Sequence, residues 1–404
     1  MGMTMGNYRR VLSLPGVRTL LVLMFASRIP VAATNMVLTL HVVLTLHRDY
    51  GAAGLVGAAG TVGIAIGAPL AGRLVDAIGL RKMVTITTAT YGAYWLSAWL
   101  LPYPALLVVS FVGGVFALPV MSVGRQALAA LVPPEHRKAA FSLDSISLEM
   151  SFMVGPAVGV LIATKVSTTV AVIAVGTMLV LAGIALYAVN PPVRGAHDEP
   201  ETDGGRPPRR QWLRAPALAA LAAGCGAVFV LAGTEVTMVA ALRGVGEVSW
   251  TGVLTISMCV ASAIGGAVYG ALRRTPGPLA LMALLGLLVV PVGLAGGQWW
   301  VLCLALAPSS LMCAPTLTST ADRISRVTPA AVRGEAMGLH SSALTLGGAL
   351  GSPVVGTVVD HWGPGGGFAA AGVGGILIAL LALPLARRPS VRPGVTGQAV
   401  PVSR

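Results

Sequence analysis

Residues 72–82 read Gly-Arg-Leu-Val-Asp-Ala-Ile-Gly-Leu-Arg-Lys and join two long apolar stretches of the chain. The segment holds one acidic and three basic residues, whereas residues 52–71 before it and 83–101 after it hold no charge. Charged side chains are costly inside a bilayer and concentrate at its surfaces. The pattern therefore predicts a short charged turn at a membrane surface, between two membrane-spanning helices.

The composition of the whole chain also indicates a membrane protein. Hydrophobic residues fill 55% of the 404 positions and charged residues only 10%, with a mean hydropathy of +0.82, whereas about a quarter of a typical soluble domain is charged. Lipid requires every backbone polar group to be bonded within a helix or a closed barrel, and the sequence lacks the alternating strands of a barrel. We therefore expect an all-α membrane protein.

A helix that spans the bilayer needs about 20 mostly apolar residues. Twelve stretches of the sequence meet this requirement: 19–46, 52–75, 83–101, 104–131, 139–164, 167–189, 215–241, 249–272, 277–296, 298–322, 335–359 and 365–386. We predict that each forms one of twelve transmembrane helices.

The distribution of basic residues predicts the orientation of these helices, because cytoplasmic loops carry an excess of lysine and arginine. If the N-terminus is cytoplasmic, all basic residues lie at the cytoplasmic side except Arg28, Arg48, Lys165 and Arg243. We therefore expect a multi-pass protein of the cell membrane with both termini in the cytoplasm. Its net charge of +13 suits contact with anionic lipids in the bilayer, and we predict no nucleic-acid partner because the basic residues are spread over separate loops.

Residues 190–214 are rich in proline and charge, which predicts a cytoplasmic linker. The linker separates an N-terminal six-helix half, residues 1–189, from a C-terminal half, residues 215–388, and a disordered cytoplasmic tail follows at 389–404. A shift of 196 positions aligns residues 133–158 with 329–354 and matches proline, arginine and glycine as well as apolar residues. This similarity supports an internal duplication.

Residues 72–82 resemble the signature loop between the second and third helices of the major facilitator superfamily of secondary transporters. The family pattern is Gly-x-Leu-x-Asp-x-x-Gly-x-Arg-Arg/Lys, and its positions are occupied here by Gly72, Leu74, Asp76, Gly79, Arg81 and Lys82. One departure is Ala77, where many members carry a basic residue. The resemblance implies the MFS fold, with two pseudo-symmetric halves of six helices that rock about a site near the bilayer midplane. It also suggests that Asp76 accepts hydrogen bonds from a helix N-terminus or an arginine and latches the outward-facing state.

Gly155, Pro156 and Gly159 in the fifth stretch resemble the Gly-Pro-x-x-Gly motif of the antiporter branch of this superfamily. Proline removes a backbone hydrogen bond and glycine admits a close neighbour, so we expect a kinked segment that seals against the other half. Ser151 and Val160 replace flanking glycines of the family motif. The fourth stretch also lacks the arginine that the family's exporters use in proton transfer.

Among the charged residues within the predicted spans, four are candidates for proton coupling or a buried charge pair: Arg28, Asp144, Glu149 and Glu235. Arg28 and Glu149 each follow the inner start of their span by ten residues, which places both about 15 Å deep. Because an isolated charge at such depth costs a few kcal/mol or more, we predict an Arg28–Glu149 pair. Such a pair either orients two helices permanently or allows Glu149 to gain and lose a proton.

Asp144 has an alternative partner in Arg125, near the inner end of the fourth stretch. Ser142, Ser145 and Glu149 share one face of a helix, while Asp144, Ser147 and Ser151 share another, and we expect one of the two faces to line the substrate cavity. His340 is the counterpart of Asp144 in the internal repeat, where it either titrates or is simply hydrogen-bonded. Glu235 lies close to the outer surface, where it either belongs to a gate, lines the cavity or extends its carboxylate to the membrane surface.

Five polar residues in the first and tenth stretches are candidates for a substrate cavity, with ordinary interhelical hydrogen bonding as the alternative: Thr34, Asn35, Ser309, Ser310 and Thr316. The four cysteines have spacings that fit no metal site. We therefore predict buried free thiols, no metal and no cofactor.

These patterns together predict a secondary transporter that works by alternating access. The chain contains no zinc-protease, serine-hydrolase or phosphate-loop motif, so we expect no enzymatic activity. The favoured hypothesis is proton-coupled efflux of a small amphipathic organic compound, with the small-molecule substrate, protons and the lipid bilayer as partners. The alternative is proton-linked uptake or facilitated diffusion of a small polar metabolite.

Overall fold

The computed structural model describes residues 5–194, 207–272, 275–296 and 298–387. Helices account for nearly all of these residues, and no strand occurs among them. The first part of the chain forms α1 (Met5–Ser13), α2 (Val17–Leu44), α3 (Tyr50–Ile78), α4 (Leu80–Ser97), α5 (Tyr103–Val115), α6 (Val120–Leu131), α7 (Arg137–Lys165) and α8 (Thr168–Val189). The second part forms α9 (Arg209–Trp212), α10 (Ala215–Gly244), α11 (Thr251–Ala271), α12 (Pro278–Val289), α13 (Trp299–Val327) and α14 (Arg333–Arg387).

Short 3-10 turns complete the helical structure at Ala98–Leu100, Val248–Trp250, Val290–Leu294 and Ala330–Val332. Two breaks in the helices have local causes. The chain leaves the helical conformation between α5 and α6, where Pro119 cannot donate a backbone hydrogen bond. α14 is interrupted at Gly363, whose φ of 68° and ψ of −175° lie outside the helical region and are accessible mainly to glycine.

Helices occupy all twelve of the predicted stretches. Within the described residues, nine helical segments are long and apolar enough to cross a membrane, and one of these is the whole of α14 with its break. The all-α membrane fold is thereby confirmed. The number of twelve crossings stays a prediction.

The turn at residues 72–82 has the predicted form, because α3 ends at Ile78 and α4 begins at Leu80. The chain reverses at Gly79, which has a φ of +85°. A side chain at this position is strained in that conformation. Glycine therefore permits the single-residue connection between the two helices.

The buried apolar side chains form two clusters. One contains residues of α1 to α8 and extends to single turns of α9, α10, α13 and α14, and the other consists of residues of α10 to α14. The two clusters correspond to the predicted halves, although the exact domain limits stay a prediction. The first cluster crosses into the second half because the halves are closely packed at one end.

The predicted linker is partly ordered. Residues 207–214 include α9, and Trp212 is buried in the first apolar cluster. Sequence reasoning expected the whole of 190–214 to be a flexible connection, and this was wrong for its last residues because one large aromatic side chain anchors them. Residues 195–206 and the predicted tail at 389–404 lie outside the described residues.

The halves contact each other mainly through α3 with α14 and through α7 with α11 and α13. We call the end of the molecule that carries the turn at 72–82 and the start of α14 the latch end. The contacts described below are concentrated there and continue along α7 toward its middle.

Candidate functional site: the contacts between the two halves

Asp76 connects the end of α3 to the beginning of α14. Its carboxylate oxygens accept hydrogen bonds from the backbone amides of Gly334 at 3.1 Å and Glu335 at 2.9 Å. Both amides belong to the first turn of α14, where backbone N–H groups have no partner within the helix and the helix dipole favours a negative charge. The side-chain amide of Gln126 in α6 also donates to Asp76, at 3.3 Å.

Glu335 is the centre of a second set of contacts at the latch end. Its side chain is only 1% exposed, and it forms ion pairs with Arg73 of α3 at 2.8 Å and Arg209 of α9 at 2.5 Å. Arg194 adds a hydrogen bond to the backbone oxygen of Asp76 at 3.3 Å. The ordered ends of the linker therefore participate in the contact between the halves.

The helix backbones approach closely at the same place. A Cβ atom added to Gly72 would lie 2.2 Å from the backbone oxygen of Gly334, and one added to Gly338 would lie 2.3 Å from that of Ala68. The hydroxyl of Ser342 donates to the backbone oxygen of Ala65 at 2.6 Å. Small residues on both helices thus allow α3 and the first part of α14 to pack tightly.

The remaining residues of the signature pattern stay within the first half. Leu74 packs against the first apolar cluster, and the guanidinium of Arg81 lies 5.3 Å from the ring centre of Tyr187 in α8. Lys82 is exposed. Among the residues of this pattern, Gly72 and Asp76 therefore make the described contacts with the second half.

The glycines of the Gly155–Gly159 motif pack against α2. A Cβ on Gly155 would lie 2.4 Å from the backbone oxygen of Ile29, and one on Gly159 would lie 2.7 Å from a methyl group of Val37. The expectation that this segment seals against the other half was wrong. Pro156 lies within an α7 that remains continuous, and the two glycines serve packing inside the first half.

One face of α7 lies against the second half. The hydroxyl of Ser142 bonds the backbone oxygen of Gly266 in α11, and that of Ser145 bonds Thr318 of α13 at 2.9 Å. Glu149 accepts a hydrogen bond from Ser262 of α11 at 2.7 Å. The stripe that these three residues form therefore follows the seam between the halves from the latch end to the middle of α7.

Glu149 also accepts a contact from the thiol of Cys313 at 3.7 Å. Ser262, its main partner, is held in turn by the backbone amide of Ala314 at 3.1 Å. No cationic side chain of the described residues forms an ion pair with Glu149. The Glu149 carboxylate of the first half thus accepts hydrogen bonds from donors of the second half.

The opposite face of α7 lies against α2. Arg28 forms an ion pair with Asp144 at 2.7 Å and donates to its backbone oxygen at 3.2 Å, and Ser151 approaches the backbone oxygen of Phe25. The predicted Arg28–Glu149 pair was therefore wrong. Asp144 and Glu149 are five residues apart, which rotates their directions by about 140° around the helix, and equal depth did not imply a shared face.

Asp144 lies between two arginines. Arg125 of α6 approaches its second carboxylate oxygen at 3.5 Å, as the alternative pairing anticipated, and all three side chains are at most 3% exposed. Two positive charges and one negative charge leave this buried group with a formal charge of +1. Buried charges of this kind are rare in membrane proteins and are retained for structural or functional reasons.

Arg125 also reaches the second half through His340 of α14. Its guanidinium lies 3.2 Å from Nδ1 of the imidazole, and the other ring nitrogen lies 2.9 Å from the hydroxyl of Thr320. Arginine can only donate, so Nδ1 must be the unprotonated acceptor and Nε2 must carry the hydrogen. His340 is therefore neutral in this arrangement.

Sequence reasoning missed α1 and its tyrosine. The hydroxyl of Tyr8 donates to the backbone oxygen of Ala267 in α11 at 2.5 Å and lies 3.1 Å from the hydroxyl of Ser142 in α7. Burial raises the pKa of Tyr8, so the hydroxyl stays a donor. The neighbouring Val11 is fully buried, and this alternation of apolar and polar residues was the available signal for a docked helix.

Glu235 is exposed on α10 and makes no hydrogen bond or ion pair with any described residue. All four cysteines are free. No group of three or more candidate metal ligands is found in the described part of the chain.

The five predicted cavity residues are not brought together. Thr34 and Asn35 line a cleft between α2, α3, α4 and α5 that has a volume of about 30 Å³, comparable to a single water molecule. Ser309, Ser310 and Thr316 are buried in α13, and the hydroxyls of Ser309 and Thr316 donate to their own helix. The alternative of structural hydrogen bonding therefore describes these two residues better than a shared substrate cavity.

Taken together, these contacts describe two helical halves that meet through a polar seam at one end. Hydrogen bonds and ion pairs of this kind can break and re-form, whereas each half has its own apolar core. This arrangement is typical of a membrane transporter built from two helical halves.

Comparison with known proteins supports this class. The sequence profile of the Major Facilitator Superfamily matches residues 20–300 and 244–402, so the chain belongs to this superfamily of transporters. No curated protein matches the chain in sequence.

Solved structures with the same fold include transporters of several kinds. The human organic anion transporter MFSD10 (TETRAN) aligns with a TM-score of 0.71 at 18% identity, over 91% of this chain and 100% of its own. The proton:xylose symporter XylE gives 0.71 at 15% identity, over 92% and 96%, and a bacterial homologue of the iron transporter ferroportin gives 0.72 at 14%, over 92% and 99%. At these identities the similarity shows the fold alone.

Proposed function

We propose that this transporter exports a small amphipathic organic compound in exchange for protons and that Glu149 carries the coupled proton. The observation that supports this most strongly is the position of Glu149. It is the acidic residue of the α7 seam, it is bound to α11 and α13 of the other half, and no basic side chain neutralises it among the described residues.

The chemistry of such a carboxylate couples charge to conformation. While the halves are closed, Ser262 and Cys313 supply hydrogen bonds to Glu149. When the halves separate along the seam, these donors are withdrawn and the group must find other partners or take up a proton. A deprotonated carboxylate without donors is costly in a membrane interior. Protonation therefore favours separation of α7 from α11 and α13.

The orientation of this cycle follows from the predicted topology. The distribution of basic residues places the latch end at the cytoplasmic side. The contacts at Asp76 and Glu335 then keep the cytoplasmic side closed, which corresponds to an outward-facing transporter. Protons from outside would load Glu149 in this state, and the compound would enter after the latch end opens to the cytoplasm.

The experiment is a measurement of lumenal pH in proteoliposomes that contain the purified protein and a trapped pH-sensitive dye. A panel of amphipathic and polar compounds is added to the wild-type protein, to Glu149→Gln and to Asp360→Asn, a matched control that neutralises an exposed carboxylate just before the break in α14 at Gly363. We expect compound-dependent proton movement in the wild type and in the control but none in Glu149→Gln. The glutamine variant should still exchange labelled compound for unlabelled compound.

The alternative functions give different results. Facilitated diffusion predicts compound flux with no proton movement in any variant, and proton movement that persists in Glu149→Gln would assign the coupling to another group. Uptake is distinguished from efflux in cells, since cells without an exporter accumulate the compound and cells without an importer fail to take it up.

A further inference from the structure

We propose that His340 is a second proton-binding site of this transporter and that its protonation opens the latch end. The proposal rests on the proposed function, because it concerns how protons change the conformation of the same protein. It adds a group on the second half to Glu149 on the first half. It is carried by the hydrogen bonds of the imidazole in the closed arrangement.

The imidazole of His340 bridges the halves only in its neutral form. Its Nδ1 accepts from Arg125 of the first half, and its Nε2–H is paired with Thr320 of its own half. The Thr320 hydroxyl donates to the backbone oxygen of Leu317 at 2.8 Å, so it is free to accept from the histidine. Each ring nitrogen therefore has a suitable partner, and neither is free to bind an additional proton.

A proton on Nδ1 would convert this contact into a repulsive one. Two N–H groups would then face each other at the distance of the present hydrogen bond, and two cations would be adjacent in a fully buried position. The buried group of Arg28, Arg125 and Asp144 already has a formal charge of +1, so the additional proton would raise it to +2. Like charges at this separation in a medium of low dielectric are strongly unfavourable.

Among the described residues, no acidic side chain forms an ion pair or a hydrogen bond with His340. α10 faces it with Gly224, whose added Cβ would lie 3.4 Å from Nε2, and α13 faces it with Thr320. The nearby part of α3 contributes Ala65 and Ala68, both uncharged. Asp144 is the nearest acid in the network, and it lies on the far side of Arg125.

Separation of the halves removes this conflict. Once α14 moves away from α6, the Nδ1 atom loses Arg125 and can bind a proton from water. By linkage, a proton that binds only the separated state shifts the equilibrium toward separation. Lower pH should therefore favour opening at the latch end, and the effect should depend on His340 itself.

The test is amide hydrogen exchange measured by mass spectrometry on the protein in lipid nanodiscs. Exchange is followed for peptides covering residues 68–80 and 333–342, from about pH 8 to about pH 5, after correction for the intrinsic pH dependence of amide exchange. Glu149→Gln serves as the reference, since it removes the other proposed proton site. His340→Gln is added to it, because the glutamine amide can still accept from Arg125 and donate to Thr320.

We expect the exchange rate of the reference to rise by about tenfold or more as the pH falls, and that of the double variant to change by less than about twofold. An equal rise in both proteins would overturn the assignment to His340. His340→Asn takes the place of the glutamine variant if the latter does not fold. The proton-flux assay separately tests Glu149, so a failure there leaves the result of the exchange experiment valid.

Discussion

At the scale of single residues, Asp144 shows how the surroundings of a charge decide its role. Its carboxylate is shared by Arg28 and Arg125 and is fully buried. This group orients α2, α6 and α7 and holds Arg125 where it can reach His340 of the other half. Glu149, on the opposite face of the same helix, has only uncharged donors and is therefore the better candidate for reversible protonation.

The first prediction concerns the stability of the buried group. Asp144→Asn leaves two buried arginines without a counter-charge, whereas Arg28→Gln removes the 2.7 Å ion pair but leaves Asp144 balanced by Arg125. Breaking a buried ion pair costs about 3–5 kcal/mol. We expect a large fall in the thermal unfolding temperature for both variants, with the greater fall for Asp144→Asn, as measured by intrinsic fluorescence in detergent.

Arg326→Gln is the control, since it breaks an ion pair with Asp322 one helical turn away and an exposed hydrogen bond to the backbone oxygen of Pro134. Exposed pairs of this type contribute about 0.3–0.5 kcal/mol. If all three variants unfolded at nearly the same temperature, the Arg28–Asp144–Arg125 group would contribute no more to stability than an exposed ion pair.

The second prediction concerns Asp76. Asp76→Asn retains an oxygen acceptor but removes the charge that the α14 N-terminus favours, and hydrogen bonds to charged groups contribute about 1.5–3 kcal/mol. We expect the latch end to open more often by roughly tenfold. Ser145→Cys reports this opening in a background without the native cysteines, since Ser145 is buried in the seam and a maleimide reaches it only when the halves separate.

Asp322→Asn is the comparison variant for this experiment, because it neutralises a latch-end acid whose ion pair, with Arg326, lies within its own helix. Equal alkylation rates for Asp76→Asn, Asp322→Asn and the unmodified protein would show that Asp76 does not hold the halves together.

Single residues also show what the sequence could and could not predict. The contact of Asp76 with a helix N-terminus followed from the resemblance of residues 72–82 to the signature loop of the superfamily. The partner of Arg28 did not follow, because counting residues along a helix gives depth but not the tertiary rotation of each helix. The internal repeat identified His340 as the counterpart of Asp144, but its contact with Arg125 required the relative placement of α6 and α14.

At the scale of elements, α7 has two polar faces that serve different purposes. One face binds α2 through Asp144, and the other follows the seam through Ser142, Ser145 and Glu149. The periodicity of the sequence distinguished these faces. It did not decide which one meets the other half, since both have similar polarity.

The third prediction tests the close approach of α3 and α14. Gly72→Ala places a methyl group 2.2 Å from the backbone oxygen of Gly334, so the helices must move apart. We expect a large increase in the alkylation of the Ser145→Cys reporter. Gly57→Ala on the same helix is the control, because nothing lies within 4 Å of its added Cβ, and an equal effect of the two alanines would point to a general effect on α3.

The fourth prediction concerns α1. Tyr8→Phe keeps the aromatic ring but removes the hydroxyl that binds Ala267 and Ser142, and a typical hydrogen bond contributes about 0.5–1.5 kcal/mol. We expect the alkylation rate of the reporter to rise by roughly fivefold.

Tyr103→Phe, which removes a hydroxyl bonded within the first half at 3.4 Å, should leave the rate unchanged. If Tyr8→Phe also left the alkylation rate unchanged, α1 would lie against the seam without stabilising it. α1 itself was not expected from the sequence, since its nine residues are too few to span a membrane and its apolar and polar pattern was not recognised.

At the scale of the whole molecule, the fold was the most predictable property. Hydropathy alone located the twelve long apolar stretches that are helical, because the bilayer restricts the backbone to a few possible structures. The relation between the halves required the structure, since it depends on small residues, on the docking of Trp212 and on hydrogen bonds between distant segments. The breaks at Pro119 and Gly363 lie within or between predicted stretches and do not change the order of the helices.

The central claim is that the halves separate at the latch end and that protons drive this separation. Electron–electron resonance between spin labels at Ala77 and Arg323, in a protein whose native cysteines are replaced by serine, measures the distance across that end directly. We predict one short distance at high pH, a second and longer distance that grows as the pH falls, and a dominant longer distance in Asp76→Asn. A single distance that stays the same under all these conditions would contradict the account.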